Sequence, residues 1–128
     1  MEKITGFLID VDSQEAKKVT IEKSLDGYYG ILNCNCIDIV TRVIGGKRFA
    51  IVCDDEALLK SNPTPSAFDE DGYPMLFGNL FVTNDDGEDI ASITDEDEAI
   101  IFAAVKYGQY FDSNFKLLAI PCLADVSY

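Results

Sequence analysis

Asp54-Asp55-Glu56, three consecutive carboxylates after a run of strand-forming residues, are the best-placed reactive side chains in this 128-residue chain. Paired carboxylates at a strand end can act as general acid and base or hold a magnesium ion. No glycine-rich phosphate loop or second diagnostic motif accompanies them, so a solvated turn is the simpler expectation. The cysteines at 34, 36, 53 and 122 include no Cys-x-x-Cys pair, and only Cys34-x-Cys36 is close. Zinc sites use spaced pairs on loops, whereas Cys36 and Cys53 sit in or beside strand-like sequence, which points to reduced, mostly buried thiols. Asp69-Glu70-Asp71-Gly72 and Asn84-Asp85-Asp86-Gly87 suggest calcium loops. An EF-hand aligned on its glycine needs Asp at the first position and Glu at the twelfth. With Gly72 sixth these are Ala67 and Gly78, and with Gly87 sixth they are Val82 and Ile93, so both alignments fail. No cofactor and no structural metal is expected.

The chain contains no histidine, which closes the commonest routes to a neutral-pH base or activated nucleophile. It has ten bases against 23 acids, a net charge of −13. Between 54 and 98 lie 14 acids and one base, Lys60, while the remainder holds nine of each. The whole net charge therefore belongs to the middle of the chain, in four clusters. Such runs are usually solvated turns; the sharper reading is one acidic face for a basic protein partner. Direct nucleic-acid binding is not expected, because Lys17-Lys18 and Lys47-Arg48 form no basic stripe. No membrane span is expected either. The start, Met1-Glu2-Lys3-Ile4, leads into alternating residues rather than a signal-peptide block, which favours a cytoplasmic protein with few disulfides.

These residues need a scaffold, and the pattern supplies one. Residues 4–11 and 19–22 are rich in strand formers and flank a polar turn at 12–17, an opening hairpin. Ser24 can cap a short helix with Leu25, Tyr28, Tyr29 and Leu32 at helical spacing. Gly45-Gly46 joins two apolar strands, 36–44 and 47–53, in a two-residue turn that sets Ile39 opposite Val52 and Val40 opposite Ile51. Both faces are apolar, so this hairpin is expected to be central and covered on both sides. Residues 61–66 read as a proline-stiffened loop, and 78–83 as another strand. Thr94 caps a second helix with four acids in its first turn, expected to run to Lys106 or Tyr107 and stop at Gly108. Residues 115–120 are a last strand, which Pro121 ends or confines to an edge.

The segments 19–25, 37–40 and 54–56, with Asn62, Ala67 and Gly78-Asn79, resemble the bacterial and phage family catalogued as domain of unknown function 3846. The resemblance covers about 4–94, leaving 95–128 as helix and tail. It implies a small protein of phages, plasmids or other mobile elements and supplies no catalytic residues. Asp54, Asp55, Glu56, Asn62, Gly78 and Asn79 are its matching positions and the candidate partner-binding residues. The expectation is one α+β domain over 1–128, with a mixed or antiparallel sheet, a central Gly-Gly hairpin and two helices. It is read as a non-enzymatic acidic binding module acting through protein–protein contact. Two alternatives are a DNA mimic that blocks a basic DNA-binding protein and a carboxylate-metal enzyme.

Overall fold

Alternation of apolar side chains on the central strands leaves two faces to cover, and the architecture follows from that demand. The computed structural model describes residues 2–60 and 63–128. One sheet runs in the order β2 (Glu15–Glu22), β1 (Lys3–Asp10), β7 (Leu80–Asp85), β4 (Lys47–Asp54), β3 (Ile37–Ile44), with every neighbour antiparallel and β8 (Ile90–Ala91) extending β7. The second sheet runs β6 (Pro74–Phe77), β5 (Pro65–Phe68), β10 (Leu117–Leu123), β9 (Val105–Phe111) and is mixed, because β5 and β10 are parallel. Two helices complete the described α+β fold, α1 (Leu25–Leu32) and α2 (Asp95–Ala104).

Odd and even positions of the first sheet feed different cores. Phe49, Ile51 and Cys53 of β4 join Phe7, Ile9, Leu80 and Val82 in a cluster closed by Ile101 of α2 and by Ala67, Leu76 and Leu123 of the second sheet. Ala50 and Val52 join Ile4, Leu8 and Phe81 under Tyr28 and Leu32 of α1. The first sheet is thus the middle layer. Ser24 caps α1 by accepting the Gly27 N–H at 3.1 Å.

The Gly-Gly hairpin has the expected register, Ile39 with Val52 and Val40 with Ile51, and both glycines take positive φ. Its expected central position is only half right. β4 lies between β3 and β7, but β3 is the sheet's outer strand, so Ile39 is 47% exposed while Ile51 is 0% exposed. Hairpin pairing fixes register, whereas coverage of a face depends on the layer packed on it: α1 lies chiefly over β2, β7 and β4, so β3 stands at the margin of that layer.

Three further expectations change. The first turn is tighter than 12–17, with Gln14 at positive φ, so β2 starts at Glu15. Part of the proline-rich stretch at 61–66 is strand, since β5 begins at Pro65; Ser61 and Asn62 lie outside the described residues. Finally, α2 ends at Ala104, short of Lys106, where the Ala104 carbonyl accepts the Ala124 N–H at 2.9 Å. The strand-forming residues that follow pair with β10 along seven positions, which leaves Gly108 inside β9 rather than at a helix end. Pro121 lies within β10, not at its end. It faces Tyr107 in a position whose N–H would point away from β9, so the ladder loses no bond.

Candidate interaction site

Register brings Asp10, Leu80, Asp54 and Ile37 to one end of the first sheet, because Ile9 and Cys53 both pair with Leu80 and Ile37 pairs with Asp54. Asp54 is buried there and shapes the chain after β4. Its Oδ1 accepts the Glu56 N–H at 2.9 Å, and its Oδ2 lies 3.1 Å from Lys60 Nζ. The adjacent Asp54 carboxylate raises the Lys60 pKa above the ordinary lysine value and keeps the ammonium protonated. A single 3₁₀ turn, Ala57–Leu59, buries Ala57 and leaves Leu58 and Leu59 exposed. Asp55 and Glu56 are also exposed, and the Asp55 N–H is tied to the Cys36 carbonyl at 3.1 Å.

Gly78 and Asn79 come to the same end, in supporting roles. Gly78 has φ +78°, and a Cβ there would stand 3.1 Å from Ala57 Cβ, so glycine permits both the turn and the close approach. Buried Asn79 braces three segments. Its Oδ1 accepts the Val11 N–H at 2.8 Å, and its Nδ2 donates to Asp12 Oδ2 at 3.2 Å and to the Leu32 carbonyl at 3.4 Å. Five of the six candidate residues therefore meet at one end of the sheet, while Asn62 lies outside the described residues. Of the five, Asp55 and Glu56 face solvent, whereas Asp54, Gly78 and Asn79 hold the surface in shape. The spacing gave no sign of Asp12, Leu58 or Leu59 at this end. Asp38 had a signal in the hairpin register, which sets it opposite Cys53.

A cavity of about 230 Å³ opens between Asn33, Cys34 and Asn35 after α1 and the loop bearing Asp54, Glu56 and Lys60. A second, of about 150 Å³, lies between Asp38, Asp55, Leu58 and the β6 residues Met75, Leu76 and Phe77. The thiols around them are poor nucleophiles. Burial pushes Cys53 up to about 12, with the Asp38 charge adding to it. Burial and then Asp54 raise Cys34, and the hydrogen bond to Glu56 raises Cys36. Among the described residues, no three His, Cys, Asp or Glu side chains are grouped to hold a metal ion.

The other acidic clusters lie elsewhere. Asp85 ends β7 at the opposite end of the sheet, roughly 17 Å from Leu80 at strand rise. The Asp54 and Asp85 clusters therefore stand at opposite ends of the sheet. Their carboxylates also serve local turns: Asp69 Oδ1 accepts the N–H of Asp71 and of Tyr73, both at 2.9 Å. Asp86 Oδ1 likewise accepts from Glu88 and Asp89, which holds its carboxyl below the usual range.

The architecture defines an acidic α+β domain in which a middle sheet is covered by a helix on one face and a second sheet and helix on the other. The chain belongs to the family described as Domain of unknown function (DUF3846), whose model matches residues 4–112. The match passes beyond the 4–94 stretch that carried the resemblance and takes in α2 and β9. No curated protein and no solved structure matches the chain. No helix among the described residues is long and apolar enough to cross a membrane.

Proposed function

We propose that the chain is a non-enzymatic interaction module of the cytoplasm, in a phage or mobile-element setting, whose acidic strand-end surface takes a short basic segment of a protein partner. The carrying observation is the juxtaposition of exposed Asp55 and Glu56, with Asp12 and Asp38 nearby, and the exposed apolar pair Leu58 and Leu59. Carboxylates steer a Lys- or Arg-rich segment and set its orientation, while leucines supply the desolvated contact that exposed charge alone does not. Protonated thiols and the absence of histidine favour binding over catalysis. A DNA mimic needs its charge in one elongated array, and the separation of the Asp54 and Asp85 clusters favours a short basic segment instead.

The test uses a synthetic peptide alternating Lys or Arg with Leu, titrated by NMR. Shifts are expected at Asp55, Glu56, Leu58 and Leu59, with affinity falling steeply as salt rises. Asp55→Asn with Glu56→Gln should weaken binding about tenfold, equivalent to about 1.4 kcal/mol. Asp54 is left intact because its carboxylate builds the turn. Equal affinity for the neutralised variant, or shifts confined to the 85–89 turn, would defeat the proposal.

A further inference from the structure

β9 is the outer strand of the second sheet, so its backbone polar groups on one side face no neighbouring strand. The register with β10 identifies them. Asp112 donates its N–H to the Lys116 carbonyl at 3.0 Å, and Ala124 donates to the Ala104 carbonyl at 2.9 Å. Even-numbered residues of β9 are therefore those bonded to β10, and the N–H and C=O groups of Tyr107, Gln109 and Phe111 point outward. Natural edges are blunted by proline, bulges or charged side chains; β9 has no proline and no bulge, and its single charge, Lys106, stands near its start. Tyr107 and Phe111 are 55% and 71% exposed beside this edge.

We infer that this edge pairs with the same edge of a second copy of the chain, antiparallel and centred on Gln109, joining two four-stranded sheets into one. In that register Gln109 faces Gln109 of the second copy, Tyr107 faces Phe111, and Lys106 faces Asp112. The aromatic pair and the opposite charges are each repeated by the twofold axis, as an isologous contact requires. Within its own chain Lys106 makes no ion pair with a described residue. Asp112 uses Oδ1 for the N–H groups of Asn114 and Lys116, both at 2.9 Å, which leaves Oδ2 for a partner. Centring on Gly108 instead would set Lys106 against Tyr110 and strand Asp112 beyond the pairing.

Charge distribution selects a second copy as the occupant. Residues 99–128 carry Lys106, Lys116, Asp112 and Asp125, a neutral balance in a chain of net charge −13. This is where two such bodies can meet without opposing like charges. Paired strands with two aromatics per copy bury on the order of 1,000 Å² in total, near the lower bound for a specific interface. A contact at the small end of specific interfaces is expected to associate reversibly, with a dissociation constant of about 1–100 µM as the range to test.

Sedimentation equilibrium of the full chain over about 1–300 µM should report monomer and dimer. The dimer should tighten several-fold from about 0.05 to 0.5 M salt, because screening relieves the repulsion between two acidic bodies. Gln109→Pro removes an N–H that points at the edge rather than at β10, so it should abolish the dimer while the hairpin persists. Should that variant lose its fold, Lys106→Glu sets like charges across the pairing and should weaken the dimer about tenfold. Adding Asp112→Asn to that chain should recover part of the loss, since asparagine keeps the Oδ1 acceptor of the turn. A monomer at every concentration and both salts, a dimer that weakens with salt, or a dimer untouched by Lys106→Glu overturns the inference.

Discussion

Replacing Asp97 by alanine should destabilise the domain by about 3 kcal/mol, although the residue lies in an acidic run that reads as solvated. Its side chain is 1% exposed and ties three elements together. Oδ2 accepts the Thr94 N–H at 2.9 Å and Asn84 Nδ2 at 3.1 Å, while Oδ1 pairs with Lys47. The Asp97 N–H returns a bond to Thr94 Oγ1 at 3.1 Å, completing a capping box that begins α2. Alanine keeps that last bond and loses the others. The capping carboxylate is worth about 1 kcal/mol, and the bond from Asn84 of β7 another ~1. The ion pair is limited to ~1 kcal/mol because Lys47 is 41% exposed and rehydrates. For a chain of this length the total corresponds to a fall in Tm of roughly 10–15 °C, read by circular dichroism at 222 nm.

The charge has a pH signature of its own. Burial alone would raise the Asp97 pKa, but the Lys47 ammonium and the Thr94 N–H and hydroxyl hold it below the ordinary 3.8. A depressed folded pKa contributes stability that is complete above the unfolded value and lost as pH falls through the folded one. Asp97→Asn should therefore be less stable than the native chain at pH 7, by about half the alanine loss, and the gap should narrow below about pH 4. A loss under 1 kcal/mol for Asp97→Ala, or a gap constant down to pH 2, would refute the reasoning.

The two isoleucines of the Gly-Gly hairpin should respond differently in urea unfolding. Ile51→Ala in β4 should cost about 2–5 kcal/mol, and Ile39→Ala on outer strand β3 about 1 or less, because that site has no cavity to leave. Equal costs would mean that β3 is covered. Timed alkylation followed by mass spectrometry should label exposed Cys36 in the native protein. Cys53, buried and shifted to about 12, holds only about one thiolate in 10⁴ at pH 8 and should label only on unfolding. Labelling of Cys53 at the rate of Cys36 would contradict its burial.

Short-range chemistry was legible in the sequence. Ser24 and Thr94 cap the helices they precede, and Gly45-Gly46 turns the hairpin in the expected register, because each signal needs only residues within a few positions of it. What depends on distant partners was not legible. The end of α2 is decided by Ala124, twenty residues beyond Ala104, whose N–H takes the helix's last carbonyl and starts the β9–β10 ladder. The exposure of Ile39 depends on α1 packing chiefly over β2, β7 and β4 rather than β3. Within the acidic run, Asp97 is marked locally by its place three residues after the Thr94 cap, but its burial against Asn84 and Lys47 comes from distant strands, and Asp54 differs from Asp55 through the short turn that brings Lys60 to it. Counting acids therefore overstates the charge available to a partner.

The strand order also relates the two proposed surfaces. The acidic rim borders β6 through Met75, Leu76 and Phe77, and β6 stands at one end of the second sheet. β9 stands at the other. Pairing through β9 would leave β6 and its acidic rim outermost on each copy, with neither rim covered by the contact. A dimer so built carries two acidic sites in fixed relation, and a partner with two basic segments of matching separation would bind the second as an intramolecular step. Modest monovalent affinity at an exposed charged rim then becomes specificity for paired segments, with the neutral C-terminal region setting their spacing and the acidic middle of the chain supplying the attraction.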